Sequence, residues 1–413
     1  MTKIKSVASK APAAKKARLP KRSKDLLQLV SISEAVCQSA SRSESTYWQA
    51  HLETLITTLI DAGSNKTVMA ALDFADADFP GDVADTLAEA AETVAQTCFF
   101  TIFDDDSAGG NYQAVLFSIP LIAWSKYQIP TGAIDVASAD KIHKSLAQHL
   151  IASDVQFGLS AYLYAIDALP QGFAETRSLV KAMADAVAND EQYNPAETIS
   201  HEAIHMPADA RFVLGVAIAK LGSPIFQWQT VTDKPVDNAK HQAFANWLAK
   251  ARNYFVTLLP GCEFEMGMPN AFFHNCRQAD IRVRPHSLRA VINGTSDLLQ
   301  LPTKNMTLVI AGVGETEIDE YRIGLMRKDE EDVINGAIWP LFASEDASTP
   351  PLPIDAIEAI VREAKVGEVI ILDGIHQPEY CEDCGAPFFF NREGEALHPF
   401  MPDEVDHITP KFH

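Results

Sequence analysis

The sequence lacks any uncharged apolar run of about 18 residues, the length that a membrane-spanning helix needs. The basic N-terminus is not followed by an apolar core either, because Leu26–Val30 is too short and too interrupted for a secretory signal. Cysteine is also sparse: four of the six cysteines are scattered, unlike the dense framework of a secreted disulfide scaffold. We therefore expect a cytoplasmic protein without a membrane span.

Positive charge is scarce outside the first 24 residues. The chain has 34 lysines and arginines against 55 acidic residues, for a net charge of -21. Residues 1–24 oppose this balance with basic residues and no acid. Because so acidic a body repels nucleic acid, only this segment could attract it, without sequence specificity. We predict that residues 1–24 form a disordered basic tail, with contact to RNA or an acidic partner as the alternative.

Common enzyme motifs are missing as well, since there is neither a Walker loop nor a Gly-x-Ser-x-Gly elbow. The sequence His201-Glu202-Ala203-Ile204-His205 does match His-Glu-x-x-His. On a helix this spacing places two imidazoles on one face, with the glutamate as a general base. Pro207 ends such a helix at once, and no third ligand follows nearby. A metal-dependent hydrolase is therefore an alternative reading, beside a polar helix between units.

Apolar residues at helical spacing occur over 25–39, 45–62 and 82–97 and predict a helical section over residues 25–97. At residue 98 the pattern of apolar residues changes from helical to strand-like. Two β-rich runs, residues 98–103 and 112–118, flank an acidic loop with two glycines and predict a hairpin.

A faint internal repeat follows. Pro120–Trp124 resembles Pro224–Trp228, and each is followed by a helical run, a β-rich run, a Pro-x-x-Phe element and another helix. The two elements are Pro170–Phe173 and Pro269–Phe272, and a weaker third copy begins at Val333–Trp339. Coincidence is the alternative, because the matches are short.

The repeat predicts α/β units over residues 98–205, 206–300 and 301–378. Three strands in the last unit, Thr307–Ala311, Glu320–Met326 and Val333–Trp339, predict an antiparallel meander. The expected fold class is α+β, a mixed α/β chain with two or three related units, antiparallel strands, a helical N-terminal section and a zinc-knuckle-like tail.

That tail is residues 379–413, and it carries Cys381-Glu382-Asp383-Cys384-Gly385. Two thiolates with two residues between them can ligate one tetrahedral ion, and the glycine suits a left-handed turn. The flanking acids disfavour a thiolate without a cation, and Pro387 argues against a helical redox pair. We predict a structural zinc site at Cys381 and Cys384, with two reduced structural cysteines as the alternative. Candidates for the other ligands are His376, His398, His407 and His413.

A basic cluster stands out in this acidic protein: Arg277, Arg282, Arg284, His286 and Arg289. Pro285 is well placed as the first residue of a helix that runs to about Asn293. The arginines would then surround a helix N-terminus and bind a phosphate or carboxylate. Pairing with the protein's own surplus acids is the alternative.

Several stretches resemble a known family. They are Leu259–Glu265, Cys276–Asp280, Arg284-Pro285, Asp319–Gly324, Trp339–Leu341 and Pro378–Pro387. Together they resemble a betaproteobacterial family, domain-of-unknown-function family 2863, over nearly all of the chain after the basic tail. The resemblance implies a bacterial cytoplasmic protein with no known activity and no catalytic residue. Members of that family often end in His-Phe-His, where this chain has Lys411-Phe412-His413.

We therefore expect a non-enzymatic binding or regulatory protein with a structural zinc knuckle. Its partner would be another protein or an anionic small molecule. The alternatives are a hydrolase that uses His201, Glu202 and His205, and a nucleic-acid accessory protein that acts through the basic tail.

Overall fold

The computed structural model describes residues 23–104, 107–195, 207–230, 235–342, 345 and 350–400. The predicted basic tail lies almost wholly outside them, as do the His-Glu-x-x-His motif, His407 and His413. The chain divides into two compact units, Met1–Ala95 and Gln96–His413, close to the boundary predicted at residue 97. None of the helices in the described ranges is long and apolar enough to cross a membrane.

The described part of the first unit is helical. Its helices are α1 (Lys24–Cys37), α2 (Arg42–Asp61), α3 (Asn65–Asp78) and α4 (Gly81–Gln96). The hydroxyls of Ser23 and Ser41 cap the first two by accepting the N–H of the residue three positions later. Helix α3 was not predicted, because it buries small residues such as Ala71 and Ala75 that give a weak apolar pattern.

Within the described residues, an antiparallel sheet of seven strands dominates the second unit. Its strands are β1 (Thr97–Asp104), β2 (Ser107–Trp124), β3 (Gly132–Ala133), β4 (Gln156–Ala165), β5 (Ala208–Lys220), β6 (Glu263–Met266) and β7 (Asn270–Ala271). The main path is β1-β2-β5-β4-β3, and β6 and β7 pair with β2. β1 and β2 form the predicted hairpin, which is thereby confirmed.

Helices cover both faces of this sheet. They are α5 (Val136–His149), α6 (Phe173–Ala188), α7 (Val236–Val256) and α8 (Phe272–Leu298). α5 and α7 pack on one face around Phe117 and Trp247, while α6 and the first half of α8 pack on the other around Phe212. Alternate residues of β2 and β5 enter the two cores, as the strand period of two requires.

The order of elements predicted from the repeat is observed in both copies. The first copy consists of β2, α5, β4 and α6 with the short strand β3 before α5, and the second consists of β5, α7, β6 and α8 with the short strand β7 before α8. Each Pro-x-x-Phe element leads into a helix that begins at its phenylalanine, Phe173 or Phe272. The strands of both segments lie in one sheet, since β4 pairs with β5 and β6 pairs with β2.

The prediction that Pro285 begins a helix is wrong, because α8 contains Pro285 in its middle. Proline has no N–H, so the carbonyl of Ile281 one turn earlier loses its usual helical partner. The side chain of Arg284 replaces that partner, since its Nε donates to this carbonyl at 3.2 Å. The arginines therefore lie along a continuous helix and do not surround a helix N-terminus.

A second sheet has the order β10-β9-β8-β11. Its strands are β8 (Met306–Val313), β9 (Glu320–Arg327), β10 (Val333–Pro340) and β11 (Glu368–His376), and α9 (Pro353–Glu363) precedes the last. β8, β9 and β10 form the predicted antiparallel meander, whereas β11 joins β8 in parallel. One face packs against α9 and the second half of α8, so the mixed α+β class with antiparallel strands is confirmed.

Candidate metal centre

The Cys381–Cys384 segment forms a tight turn. The N–H of Gly385 donates to the carbonyl of Cys381 at 2.9 Å, and the N–H of Cys381 donates to the carbonyl of Ala386 at 2.8 Å. Gly385 has a φ of 72°, in the left-handed region that other residues rarely adopt. The predicted role of this glycine is therefore confirmed, and the turn aims both thiols to one side.

His398 completes a group of three possible ligands. The ligand atoms of Cys381, Cys384 and His398 all lie within 4.8 Å of one another. The Sγ of Cys384 is 3.2 Å from the Nε2 of His398. Ligand atoms around a tetrahedral zinc ion are roughly 3.5 Å apart, given Zn–S and Zn–N bonds of about 2.3 and 2.1 Å. This group could hold a metal ion with little movement.

The ring of His398 is held in a suitable orientation. Its Nδ1 lies 2.8 Å from the carbonyl oxygen of Pro399, which can only accept a hydrogen bond. Nδ1 therefore carries the proton, and Nε2 turns its lone pair toward the thiols. Metal-binding histidines are commonly fixed in this way by a hydrogen bond at the second ring nitrogen.

A short hairpin, β12 (Phe389–Phe390) and β13 (Ala396–Leu397), connects the cysteine turn to His398. Phe389 and Phe390 are buried against the second sheet, on the face opposite α9. Glycines in that sheet make room: a Cβ at Gly336 would lie 2.4 Å from the Phe389 ring, and a Cβ at Gly324 would lie 2.8 Å from the carbonyl oxygen of Phe390. The candidate centre is thus attached to the sheet by apolar packing.

A buried arginine, which the sequence reading missed, joins the centre to β9. The Arg322 side chain is fully buried, and its Nη1 donates to the carbonyls of Glu379 and Phe388 at 2.7 and 2.9 Å. These residues flank the cysteine turn on either side. Its Nε donates to Glu320 at 2.7 Å, and its guanidinium lies 4.8 Å from the Tyr380 ring. The sequence carried one signal of this role, an arginine inside an otherwise apolar strand. Such a side chain is buried with the strand, and a buried charge needs partners.

The other predicted ligands have different positions. His376 contacts the Phe390 ring at 4.6 Å, and it does not belong to the group formed by the two cysteines and His398. His407 and His413 lie outside the described residues. Of the two candidate histidines that the structure describes, it therefore brings His398 to the cysteines.

The arginines of α8 contact carboxylates. Arg282 and His286 both lie 3.5 Å from Glu265, and Arg289 lies 2.9 Å from Glu363. His286 also stacks on Trp124 at 4.0 Å. Burial lowers the pKa of His286, although the negative charge of Glu265 acts to raise it. This geometry favours the alternative reading, in which the protein's own acids neutralise these residues.

Arg284 makes the strongest of these contacts. It is almost fully buried and donates to both carboxylate oxygens of Glu345 at 2.8 Å. Its guanidinium lies over the rings of Trp339 and Phe342, at 4.9 and 5.2 Å from their centres. Arg277 lies on the same helix, one residue after Cys276. An anion that approached Arg284 would have to displace a carboxylate that already binds it in bidentate geometry.

Comparison with known proteins identifies a family for most of the chain. A family model with the description "Protein of unknown function (DUF2863)" matches residues 14–412. No curated protein and no solved structure gives a significant match.

Proposed function

The chain belongs to the DUF2863 family of proteins of unknown function, and we propose that this member is a non-enzymatic binding protein whose C-terminal knuckle holds a structural zinc ion. The observation that carries the proposal is the convergence of Cys381, Cys384 and His398 within 4.8 Å. We define the knuckle as residues 379–398. It begins at Glu379, whose carbonyl accepts a hydrogen bond from Arg322, and ends at His398.

The donor set supports zinc over other common ions. Two thiolates and one imidazole are soft and borderline ligands, which calcium and magnesium avoid in favour of oxygen. A divalent ion also reverses the penalty that Glu382 and Asp383 impose on thiolates, because it becomes the largest local charge. His407 and His413 are the remaining predicted donors for a fourth position.

The surroundings support a structural role for the ion. Within the described residues, three backbone hydrogen bonds and Arg322 hold the cysteine turn, and Cys384 and His398 are both exposed. Zinc would connect the turn to β13 at the point where apolar packing ends. Such sites contribute directly to the stability of small segments that cannot bury a core.

A protein is the favoured partner. Next to the knuckle, edge strand β11 exposes Val369, Ile371 and Ile375, each by 41 to 45 %. In the described part of the chain β8 is its only pairing strand. Exposed β-branched residues on an open edge suit pairing with a strand of another chain. An anionic small molecule has less support, because the α8 arginines already contact acids.

Metal content tests the proposal. After exhaustive dialysis, elemental analysis of the full chain should give one zinc per molecule. Cys381→Ser and His398→Ala should lose it, because each removes a ligand. Cys262→Ser is the matched control, since this half-buried thiol lies far from the knuckle in sequence and outside the ligand group, and it should retain zinc.

The same measurement separates the hydrolase alternative. His201→Ala should leave the zinc content unchanged if the knuckle is the site. Zinc that persists in Cys381→Ser but disappears in His201→Ala would overturn the proposal and support the hydrolase. A wild-type protein without zinc after expression in zinc-supplemented medium would also refute the proposed zinc site.

A further inference from the structure

A cavity of about 310 Å³ lies far along the chain from the knuckle, between α5, the first half of β4 and the C-terminal end of α6. Its apolar floor is formed by Phe157, Leu159, Met183 and Val187. The volume is at the lower end of the range for small-ligand sites, which is about 300 to 1,000 Å³. The cavity is therefore large enough for a small organic molecule.

The cavity exists because the edge of the large sheet is open at this point. β3 pairs with β4 only at Tyr162 and Leu163, and within the described residues no strand covers the outer side of Gln156–Leu159. Gly158 lets α6 approach the strand, because a Cβ there would lie 2.6 Å from the side chain of Val187. The helices on the two faces of the sheet thus become the walls of a pocket.

Its rim carries negative charge. Asp140, Asp190 and Glu191 line it, and no lysine or arginine is among the described lining residues. Lys144 contacts Asp140 at 2.6 Å from outside the cavity and offsets its charge, so Asp190 and Glu191 carry most of the net negative charge of the rim. A cation would be attracted here, and an anion would be repelled.

Asp190 occupies a position that suits an aspartate poorly. It follows the end of α6 with a φ of 58°, where glycine is usual, and the next N–H closes the helix end by donating to Ala186. A carboxylate at this end also meets the negative pole of the helix. A bound cation would offset the unfavourable interaction of this carboxylate with the end of the helix.

Aromatic rings add to the preference for a cation. The His143 ring stacks on Phe157 at 4.1 Å, and its Nε2 lies 3.1 Å from the carbonyl of Phe157, so the ring is fixed in the wall. Tyr193 forms another part of the lining. Aromatic faces attract organic ammonium ions, and acidic groups beside them strengthen the attraction.

We propose that this cavity binds an organic ammonium ion with a small apolar body. The body would rest on Phe157, Leu159 and Val187, and the ammonium group would lie between Asp190 and Glu191. Neither the knuckle nor its zinc takes part, so this site is independent of the function proposed above.

Phenethylammonium is a suitable probe, and 2-phenylethanol is its neutral counterpart of nearly equal size. Titration calorimetry of the full chain should show binding of the ammonium ion that weakens with salt, and at least tenfold weaker binding of the alcohol. Asp190→Asn should weaken the binding of phenethylammonium at least fivefold, because asparagine keeps the backbone conformation but removes the charge. Asp154→Asn, on an exposed turn outside the cavity, is the matched control and should not alter it.

A second variant separates binding from folding. Asp190→Gly should weaken the binding of phenethylammonium as much as Asp190→Asn does, yet raise the unfolding temperature by about 2 °C, because glycine adopts this φ freely. The proposal fails if phenethylammonium does not bind. It also fails if the alcohol binds equally well, or if Asp154→Asn weakens binding as strongly as Asp190→Asn.

Discussion

Two buried arginines hold distant parts of the second unit together. Arg322 connects β9 to both sides of the cysteine turn, and Arg284 connects α8 to Glu345 and to the end of β10. Neither side chain could be buried alone, since an unpaired guanidinium inside a protein costs several kcal/mol. The partners that these side chains bind on other elements lie 56 to 66 residues away in sequence, so local patterns do not reveal them.

Glu345 provides a test of these buried contacts at the scale of single residues. Hydrogen bonds from Arg284 hold the pKa of this carboxyl below its usual range. Its contribution to stability is therefore complete above the ordinary glutamate pKa and is lost as the pH falls through the lowered value. Glu345→Gln should reduce the free energy of unfolding by about 1 to 3 kcal/mol at pH 7, because it leaves Arg284 buried without a counter-charge.

Urea denaturation between pH 7 and pH 3 measures this effect. The gap between wild type and Glu345→Gln should narrow on acidification, because the wild type loses the contribution that the variant never had. Glu358→Gln is the control, as Glu358 contacts Arg362 in an exposed pair on α9 and should change little. A gap that stays constant over the whole range would contradict the assignment.

Helix α8 decides how the two sheets of the second unit are joined. It has 27 residues, roughly 40 Å in length, and buries Phe272 and Ala279 on the large sheet and Leu288 and Ile292 on the small one. Pro285 falls between these halves. A proline inside a helix costs about 3 kcal/mol, and the apolar burial at both ends is large enough to offset it.

The glycines beneath the β12–β13 hairpin give a test at the scale of elements. Gly336→Ala should lower the free energy of unfolding by about 1 to 3 kcal/mol, since its Cβ would overlap the Phe389 ring. It should also release zinc to a chelator more readily, because the hairpin carries His398. Gly294→Ala in α8 is the matched control: nothing lies within 4 Å of its Cβ, so it should be neutral or stabilising by up to about 1 kcal/mol.

Denaturation curves and chelator competition would report both effects. Adding Phe389→Leu to Gly336→Ala should recover part of the loss, since leucine lacks the ring atoms that collide. Equal stability of Gly336→Ala and Gly294→Ala would show that the hairpin does not pack on the sheet as described.

The whole molecule consists of two compact units, and the second contains both sheets. Because α8 packs on each of these sheets, we expect the second unit to unfold as one cooperative body. Three fully buried leucines allow a matched comparison: Leu52 in α2, Leu116 in β2 and Leu308 in β8. Leu116→Ala and Leu308→Ala should each cost about 2 to 5 kcal/mol and shift the same calorimetric transition.

Leu52→Ala should shift a different transition, because α2 belongs to the first unit. Hydrogen exchange would locate each effect, with protection lost throughout β1–β11 in the first two variants and in α1–α4 in the third. Separate transitions for Leu116→Ala and Leu308→Ala would show that α8 does not couple the two sheets.

The sequence by itself determined the features that depend on neighbouring residues. The β1–β2 hairpin, the β8–β10 meander, the order of elements in the repeat and the left-handed Gly385 all follow from alternation, turn residues and spacing within short segments. Family membership followed from short motifs along the chain. These features depend on contacts between residues that are close together in the chain, so they can be predicted from the sequence alone.

Only the tertiary structure decided which distant groups meet. It brought His398, and not His376, to the two cysteines, placed Arg322 on the knuckle and brought acids to the arginines of α8. It also merged two repeated segments into one sheet, continued α8 through Pro285 and opened the cavity at the edge of β4. Each of these outcomes depends on burial and on partners dozens of residues apart, for which local propensity carries no information.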